Sequence, residues 1–247
     1  FPADVRLHAD SAKAVPALAA ALRERMSARD RERAAARARE TAEGIARARQ
    51  QREAAAQAQG RRGPITPGWL VHCLNRVLSP EDIVLDEAVT NAPTIGQGLA
   101  GTLFMSGGSS LGWCLGAALG ARLAAPERTV VALVGDGAFL YGQPTSTLWA
   151  AERYGAPFLT VVFNNQMHYA TKRSWQGGYP QSAAARLGEW VGTDLSPSPE
   201  YAVLAQACRA YGERVEEPAE LEGALRRGLE RVRGGQAAVI DVRLARP

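Results

Sequence analysis

Residues 130–139, VVALVGDGAF, constrain this chain more than any other stretch: five apolar residues run together and end on a carboxylate held between two glycines. A strand with no polar side chain to offer water has to be covered on both faces, which means a parallel sheet with helices on either side. The same pattern recurs along the chain. IVLDEA (83–88), TVVALVG (129–135), PFLTVVFNN (157–165) and AAVIDVRL (237–244) read as strands. Between them, SSLGWCLGAALGARLAA (109–125), PTSTLWAAERYG with Pro144 at its start and Gly155 past its end, YAVLAQACRAYG (201–212) and the stretch from Pro218 to about Arg233 read as helices. The predicted fold is α/β, a doubly wound parallel sheet with helices on both faces, preceded by a charged linker helix. Right-handed crossovers bring all strand C-termini to one edge, where such sheets bind ligands.

The charged segment differs in kind from the rest. Residues 22–63 hold twelve arginines against six acids, although the whole chain carries only +4. Clustered arginine can neutralise phosphates, but acids are threaded through this run and no aromatic is interleaved for base stacking. A solvated helix with intrahelical ion pairs is the better reading, and no nucleic-acid partner is expected. GRRGPITPGW (60–69) ends it. Phe1 is not a methionine, and FPADVRLHAD followed by SAKAVPALAAALRER predicts a strand running into a helix. The domain scheme that follows has residues 1–22 as the end of a truncated middle domain, 23–63 as a linker helix and 64–247 as the ligand-binding domain. No apolar stretch is long enough to span a bilayer, and no leader precedes a cleavage site. Cys73, Cys114 and Cys208 lie far apart, which argues against a disulfide framework and for buried thiols in a reducing, cytoplasmic setting.

Asp136 and the pair Asn164–Asn165 each follow an apolar strand, so adjacent parallel strands would deliver them to a common point. A carboxylate and a carboxamide oxygen are hard ligands suited to Mg²⁺, which completes its octahedron with water and with phosphate oxygens of a bound ligand. Gly135 and Gly137 would allow sharp turns and bring backbone N–H groups near an anion. The plainer alternative is that Asp136 caps a turn, since Asp-Gly is common in turns. GDG alone is a weak signal; joined to a strand-terminal NN after 26 intervening residues it is a strong one.

This arrangement resembles the thiamine diphosphate-dependent decarboxylase superfamily, whose diphosphate-binding motif is GDG, a helix and a strand, then NN. SGGSSLGWCLGAALGARLAAPERTVVALVGDGAF is similar to the corresponding block of benzoylformate decarboxylase and acetolactate synthase relatives, and IVLDEAVTNAP to the strand and loop that open their diphosphate-binding domain. The first thirty or so residues resemble the end of the family's middle domain.

The resemblance implies thiamine diphosphate and Mg²⁺ as cofactors. It implies that Asp136, the side chain of Asn165 and the main-chain oxygen of Met167 bind the metal, and that Gly135, Gly137 and Ala138 cradle the diphosphate. Thr90 and Asn91 would add polar contacts, Ser109 would accept a hydrogen bond from the aminopyrimidine through its carbonyl, and Leu111 would prop the cofactor into its bent form. Read from periodicity alone, Leu111 serves equally well as core. Ala170 and Thr171 continue the wall. His168 and Tyr169 would face the substrate, His168 either as a proton shuttle or in a structural role. The activating glutamate of the family belongs to a pyrimidine-binding half that lies N-terminal to everything here, and Glu87 does not take its place. That half is the expected partner, as a separate chain or a removed segment, and this chain alone is expected not to turn over. The loop LYGQP after GDGAF, longer than expected, leaves Asn164 as an alternative to Asn165.

The function implied is cleavage or formation of a C–C bond next to a 2-oxo or 2-hydroxy carbonyl: 2-oxo acid decarboxylation, acetolactate-type carboligation, or a 2-hydroxyacyl-CoA lyase reaction on an acyl-CoA. A non-catalytic assembly or regulatory homologue is the alternative of a different class. A homo- or hetero-oligomer is expected, because an isolated domain of this kind would expose a large apolar face. GQGLAG (96–101) satisfies G-x-G-x-x-G but stands away from the strand and lacks an acid about twenty positions on, so a nicotinamide enzyme is not expected.

Overall fold

The computed structural model describes residues 2–60, 63–91, 95–96, 99–106, 108 and 110–247. Ser109 and the centre of GQGLAG fall outside them. The chain divides into two units, one through Gln51 and the other Arg52–Pro247. The first holds helix α1 (Ser11–Arg25) and most of α2 (Ala28–Gln59), and α1 buries none of its residues. The expected single linker helix is broken at Met26–Ser27. Ser27 and Asp30 exchange hydrogen bonds there, the Ser27 amide donating to Asp30 Oδ2 (3.1 Å) and the Asp30 amide to Ser27 Oγ (3.2 Å), a reciprocal cap that starts a new helix. Among the described residues 2–10 no strand forms, contrary to expectation.

The second unit is built on one sheet. After α3 (Pro67–Val77) come β1 (Ile83–Glu87), β2 (Leu103–Met105), α4 (Trp113–Ala124), β3 (Val130–Gly135), α5 (Asp136–Tyr141), α6 (Pro144–Arg153) and β4 (Leu159–Asn164). Then follow α7 (Tyr169–Gly178), α8 (Ala183–Leu187), α9 (Tyr201–Ala207), β5 (Tyr211–Val215), α10 (Leu221–Arg233) and β6 (Ala238–Arg243). Six strands run parallel in the order β2-β1-β3-β4-β6-β5. The four central strands are apolar on both faces because each face meets helices. Val131, Leu133, Val161, Phe163 and Ile240 pack with α3 and α10 on one side; Leu85, Val130, Ala132, Val162 and Val239 pack with α4, α6 and α9 on the other. Each such side chain contributes about 1.5–3 kcal/mol on burial.

The differences from the sequence reading lie at the edges. Strands β2 and β5 were not anticipated, and the helix expected over 201–212 stops at Ala207, with Arg209 at φ +63° turning the chain into β5. Both are edge strands whose residues are largely half-buried or exposed, so neither carries a sustained apolar run. The helix expected from Ser109 begins at Trp113, after Gly112 at φ +92°. The expected LYGQP loop is nearly absent: Leu140 and Tyr141 finish α5, and only Gly142 and Gln143 precede Pro144 at the first turn of α6. No disulfide links the cysteines; Cys73 and Cys114 are buried, and Cys208 is half-buried rather than buried.

Candidate cofactor site

Strand β3 ends on Gly135 opposite Phe163 of β4, so the residues that follow each strand meet at the C-terminal edge of the sheet. The amide of Met167 donates to two side chains at once, Asp136 Oδ2 (3.2 Å) and Asn165 Oδ1 (3.0 Å). Gln166, at φ +59°, reverses the chain to make this possible. Asp136 is 2% exposed. Burial outweighs the hydrogen bonds donated to it by backbone amides, including Gly137 (3.0 Å to Oδ1), and pushes its pKa up to about 6. A carboxylate so enclosed, with no cation beside it, is a group lacking its counterion.

Asn164 faces elsewhere. Its Nδ2 donates to buried Asp241 (2.8 Å), and its Oδ1 accepts from Ser198 Oγ (3.1 Å) and Arg243 (3.3 Å). The geometry therefore separates the two asparagines: Asn165 joins Asp136, and Asn164 ties β4 to β6 and to the loop at Ser198.

Glu87, at the end of β1, is buried, and each of its oxygens accepts a backbone amide. Gly112 N donates to its Oε1 (2.6 Å) and Cys114 N to its Oε2 (3.0 Å), so the carboxylate satisfies free amides at the start of α4. Burial raises its pKa, and the same desolvation, with Glu87 and Asp86 nearby, holds the Cys114 thiol well above its ordinary range. The sequence reading missed this cap because the two partners lie 25 and 27 residues away.

Asp136, Asn165 and Met167 share a pocket of about 70 Å³ with Thr90, Asn91, Leu111, Gly135, Gly137, Ala138, His168, Tyr169, Ala170 and Thr171. It opens into a cleft of about 750 Å³ with which it shares Glu87, Val89, Leu111, Ala170 and Thr171, and which Met105, Trp113, Trp175 and Tyr179 make apolar. Leu111 is 42% exposed, so it belongs to the cleft wall and not to the core. Gly135 has ordinary extended dihedrals, and a Cβ there would meet nothing within 4 Å; the expected sharp turn does not form, and the space is open to the pocket. Gly137 is needed for a different reason, since a Cβ would fall inside the imidazole of His168.

The sequence model of the family described as "Thiamine pyrophosphate enzyme, C-terminal TPP binding domain" matches residues 95–242, more than half of the chain. The chain belongs to this family. As a thiamine pyrophosphate (thiamine diphosphate) binding domain it is 33% identical over 187 residues to a sulfoacetaldehyde acetyltransferase of Rhodobacter capsulatus, a match that covers 71% of this chain and 30% of that protein. It is 28% identical over 174 residues to a benzoylformate decarboxylase of Pseudomonas aeruginosa, covering 68% and 30%, and 35% identical over 144 residues to the large subunit of acetolactate synthase isozyme 3 of Escherichia coli, covering 56% and 22%. The domain therefore spans a third or less of the length of these relatives. The solved structure of a thiamine diphosphate-dependent 4-hydroxybenzoylformate decarboxylase of Rhodococcus jostii has the same fold, with TM-score 0.63 at 24% identity over 75% of this chain and 34% of that one. Among the described residues no helix is long and apolar enough to cross a membrane.

The donor set of this domain suits a hard divalent cation. Among the described residues no three His, Cys, Asp or Glu side chains gather to hold a metal. An ion held by Asp136 must therefore draw its other ligands from the amide of Asn165, from main-chain oxygen and from the bound molecule, a division that suits Mg²⁺. Met167 O already accepts from the Tyr169 amide (2.8 Å) and keeps a second lone pair. The metal-free domain carries the cost of the buried charge. With the folded pKa raised to about 6 from 3.8, that cost is absent below the lower value and complete above the higher one. Asp136→Asn is expected to raise the unfolding free energy of the metal-free chain by up to about 3 kcal/mol at pH 8, and by almost nothing at pH 4. Urea unfolding of both proteins at the two pH values checks this; equal stabilities at pH 8 would refute it.

Proposed function

We propose that this chain is the diphosphate- and metal-holding part of a thiamine diphosphate-dependent lyase or transferase that cleaves or forms a C–C bond next to a 2-oxo or 2-hydroxy carbonyl. The observation that carries the reading is the single Met167 amide shared by Asp136 and Asn165 on the floor of an apolar cleft. In this reading Asp136, Asn165 and the carbonyl of Met167 hold Mg²⁺. Gly137 and Ala138, in the first turn of α5, present amides to the diphosphate, Gly135 leaves room for it, and Thr90 and Asn91 add polar contacts. Leu111 and Ala170 shape the wall against which the rings would rest; the contact expected of Ser109 lies outside the described residues. When bound, thiamine diphosphate would supply a nucleophilic ring carbon for chemistry at a substrate carbonyl.

Glu87 is not assigned the activating role in this reading: it belongs to the domain that holds the diphosphate, and its two oxygens accept from the amides of Gly112 and Cys114 at the start of α4. The activating acid must come from a pyrimidine-binding half, on a second chain or on another segment, and without it this chain has no turnover. Residues 64–247 are the domain that holds the cofactor; 23–63 serve as linker and 1–22 as the end of a middle domain. The exposed apolar side chains around the cleft, Val89, Phe104, Met105, Trp175 and Tyr179 among them, support docking of that half in a homo- or hetero-oligomer. Three cysteines that form no disulfide support a cytoplasmic setting. The substrate is a small 2-oxo acid or an acyl-CoA.

Calorimetric titration of the chain with thiamine diphosphate, with and without Mg²⁺, tests the reading. Binding is expected only when the cation is present, because Asp136 and the diphosphate are both anionic and, among the described residues, no lysine or arginine lines the pocket or the cleft. Binding of equal strength after chelation would remove the metal site; no binding in either arm would remove the function.

A further inference from the structure

Among the described residues that line the 70 Å³ pocket and the adjoining cleft, His168 alone is basic. Its backbone is firmly placed: the amide donates to Thr193 O (2.8 Å), and the residue precedes the first turn of α7. Its ring is seated between Gly137, where a Cβ would fall inside the imidazole, and Tyr141, edge to face at 6.2 Å between centroids. Among the described residues neither ring nitrogen has a hydrogen-bond partner. Either neutral tautomer of the imidazole carries one N–H to donate, and the ring lines the pocket where a ligand can accept it. Here it touches the glycine that carries one of the amides aimed at the diphosphate.

We propose that His168 is a cofactor-positioning residue whose imidazole N–H donates to a diphosphate oxygen beside the amides of Gly137 and Ala138. The inference rests on the function proposed above and adds one residue to it. It also explains why residue 137 must be glycine: the ring occupies the space a side chain would need. The role needs no change of charge on His168, since either neutral tautomer supplies a donor, and a hydrogen bond to an anionic oxygen is worth about 1.5–3 kcal/mol, or roughly ten- to a hundredfold in affinity.

The test compares the unaltered chain with His168→Phe, which keeps a ring against Gly137 and Tyr141 but removes both nitrogens. Titration with inorganic pyrophosphate at saturating Mg²⁺ is expected to show binding weakened at least about tenfold in His168→Phe, with Mn²⁺ affinity in the absence of pyrophosphate unchanged. A ¹⁵N spectrum of the unaltered chain is expected to show one imidazole nitrogen signal of His168 shifting when magnesium pyrophosphate is added, a readout independent of whether the variant folds. Equal pyrophosphate affinity in the two proteins, or an unmoved imidazole signal, overturns the role of His168 and leaves the cofactor site standing. Failure of the unaltered chain to bind pyrophosphate or thiamine diphosphate with Mg²⁺ overturns the site itself.

Discussion

Asp136→Ala is expected to abolish Mg²⁺-dependent retention of thiamine diphosphate, weakening it by at least about a hundredfold, while leaving the domain folded. Changing a group that merely orients a metal ligand typically costs ten- to a hundredfold in metal affinity, and removal of the only carboxylate ligand must cost more. The fold does not depend on that carboxylate. Asp136 is buried at a cost, its pKa standing at about 6, and Met167 N keeps Asn165 Oδ1 as an acceptor once Asp136 is gone. Binding and stability should therefore move in opposite directions: calorimetry with Mg²⁺ and thiamine diphosphate should go silent, and the urea midpoint at pH 8 should not fall. A carboxylate that only capped a turn would behave otherwise, because its loss would lower the midpoint. Retained cofactor in this variant would refute the metal assignment.

Gly212→Ala should be the most damaging small substitution in the sheet, costing about 3 kcal/mol or more in unfolding free energy. Gly212 sits in edge strand β5, where a Cβ would fall onto the carbonyl oxygen of Ala202 in α9 and 2.7 Å from its carbonyl carbon. Backbone atoms of a packed helix cannot swing aside as a side chain can. Two other glycines provide the contrast. Gly116 and Gly120 lie on the exposed side of α4, and a Cβ at either meets nothing within 4 Å. Alanine there should stabilise by about 0.5–1 kcal/mol each, because glycine in a helix interior costs that much. Urea unfolding of the three variants side by side checks the ordering; a neutral Gly212→Ala would mean that β5 and α9 are not in contact.

How well each element could be read from the sequence followed its burial. Strands β1, β3, β4 and β6 were legible because strands covered on both faces have to be largely apolar, with few polar residues such as Glu87 and Asp241 that find partners inside. Strands β2 and β5 were not, because an edge strand of half-exposed residues such as YGERV looks like the end of the helix before it. The break at Ser27 was missed although its signal is local: Ser27 and Asp30 have the spacing of a cap, hidden in a run where every residue favours a helix.

The site divides in the same way. That Asp136 and one of two asparagines would meet followed from the sequence, because a GDG and an NN each end a buried strand and parallel strands deliver their ends to one edge. Which asparagine, and what Glu87 and Leu111 do, did not follow, because each answer depends on a partner distant in the chain. Asp241 holds Asn164 from 77 residues away, and Glu87 is bound to the start of α4. Leu111 reaches the cleft because α4 begins only at Trp113. Composition and strand order are local consequences of what must be hidden from water, so the sequence by itself determined the layered sheet and its ligand-binding edge. The direction of each polar side chain at that edge is a choice among competing hydrogen-bond partners, and only the packed tertiary structure brings those partners within reach.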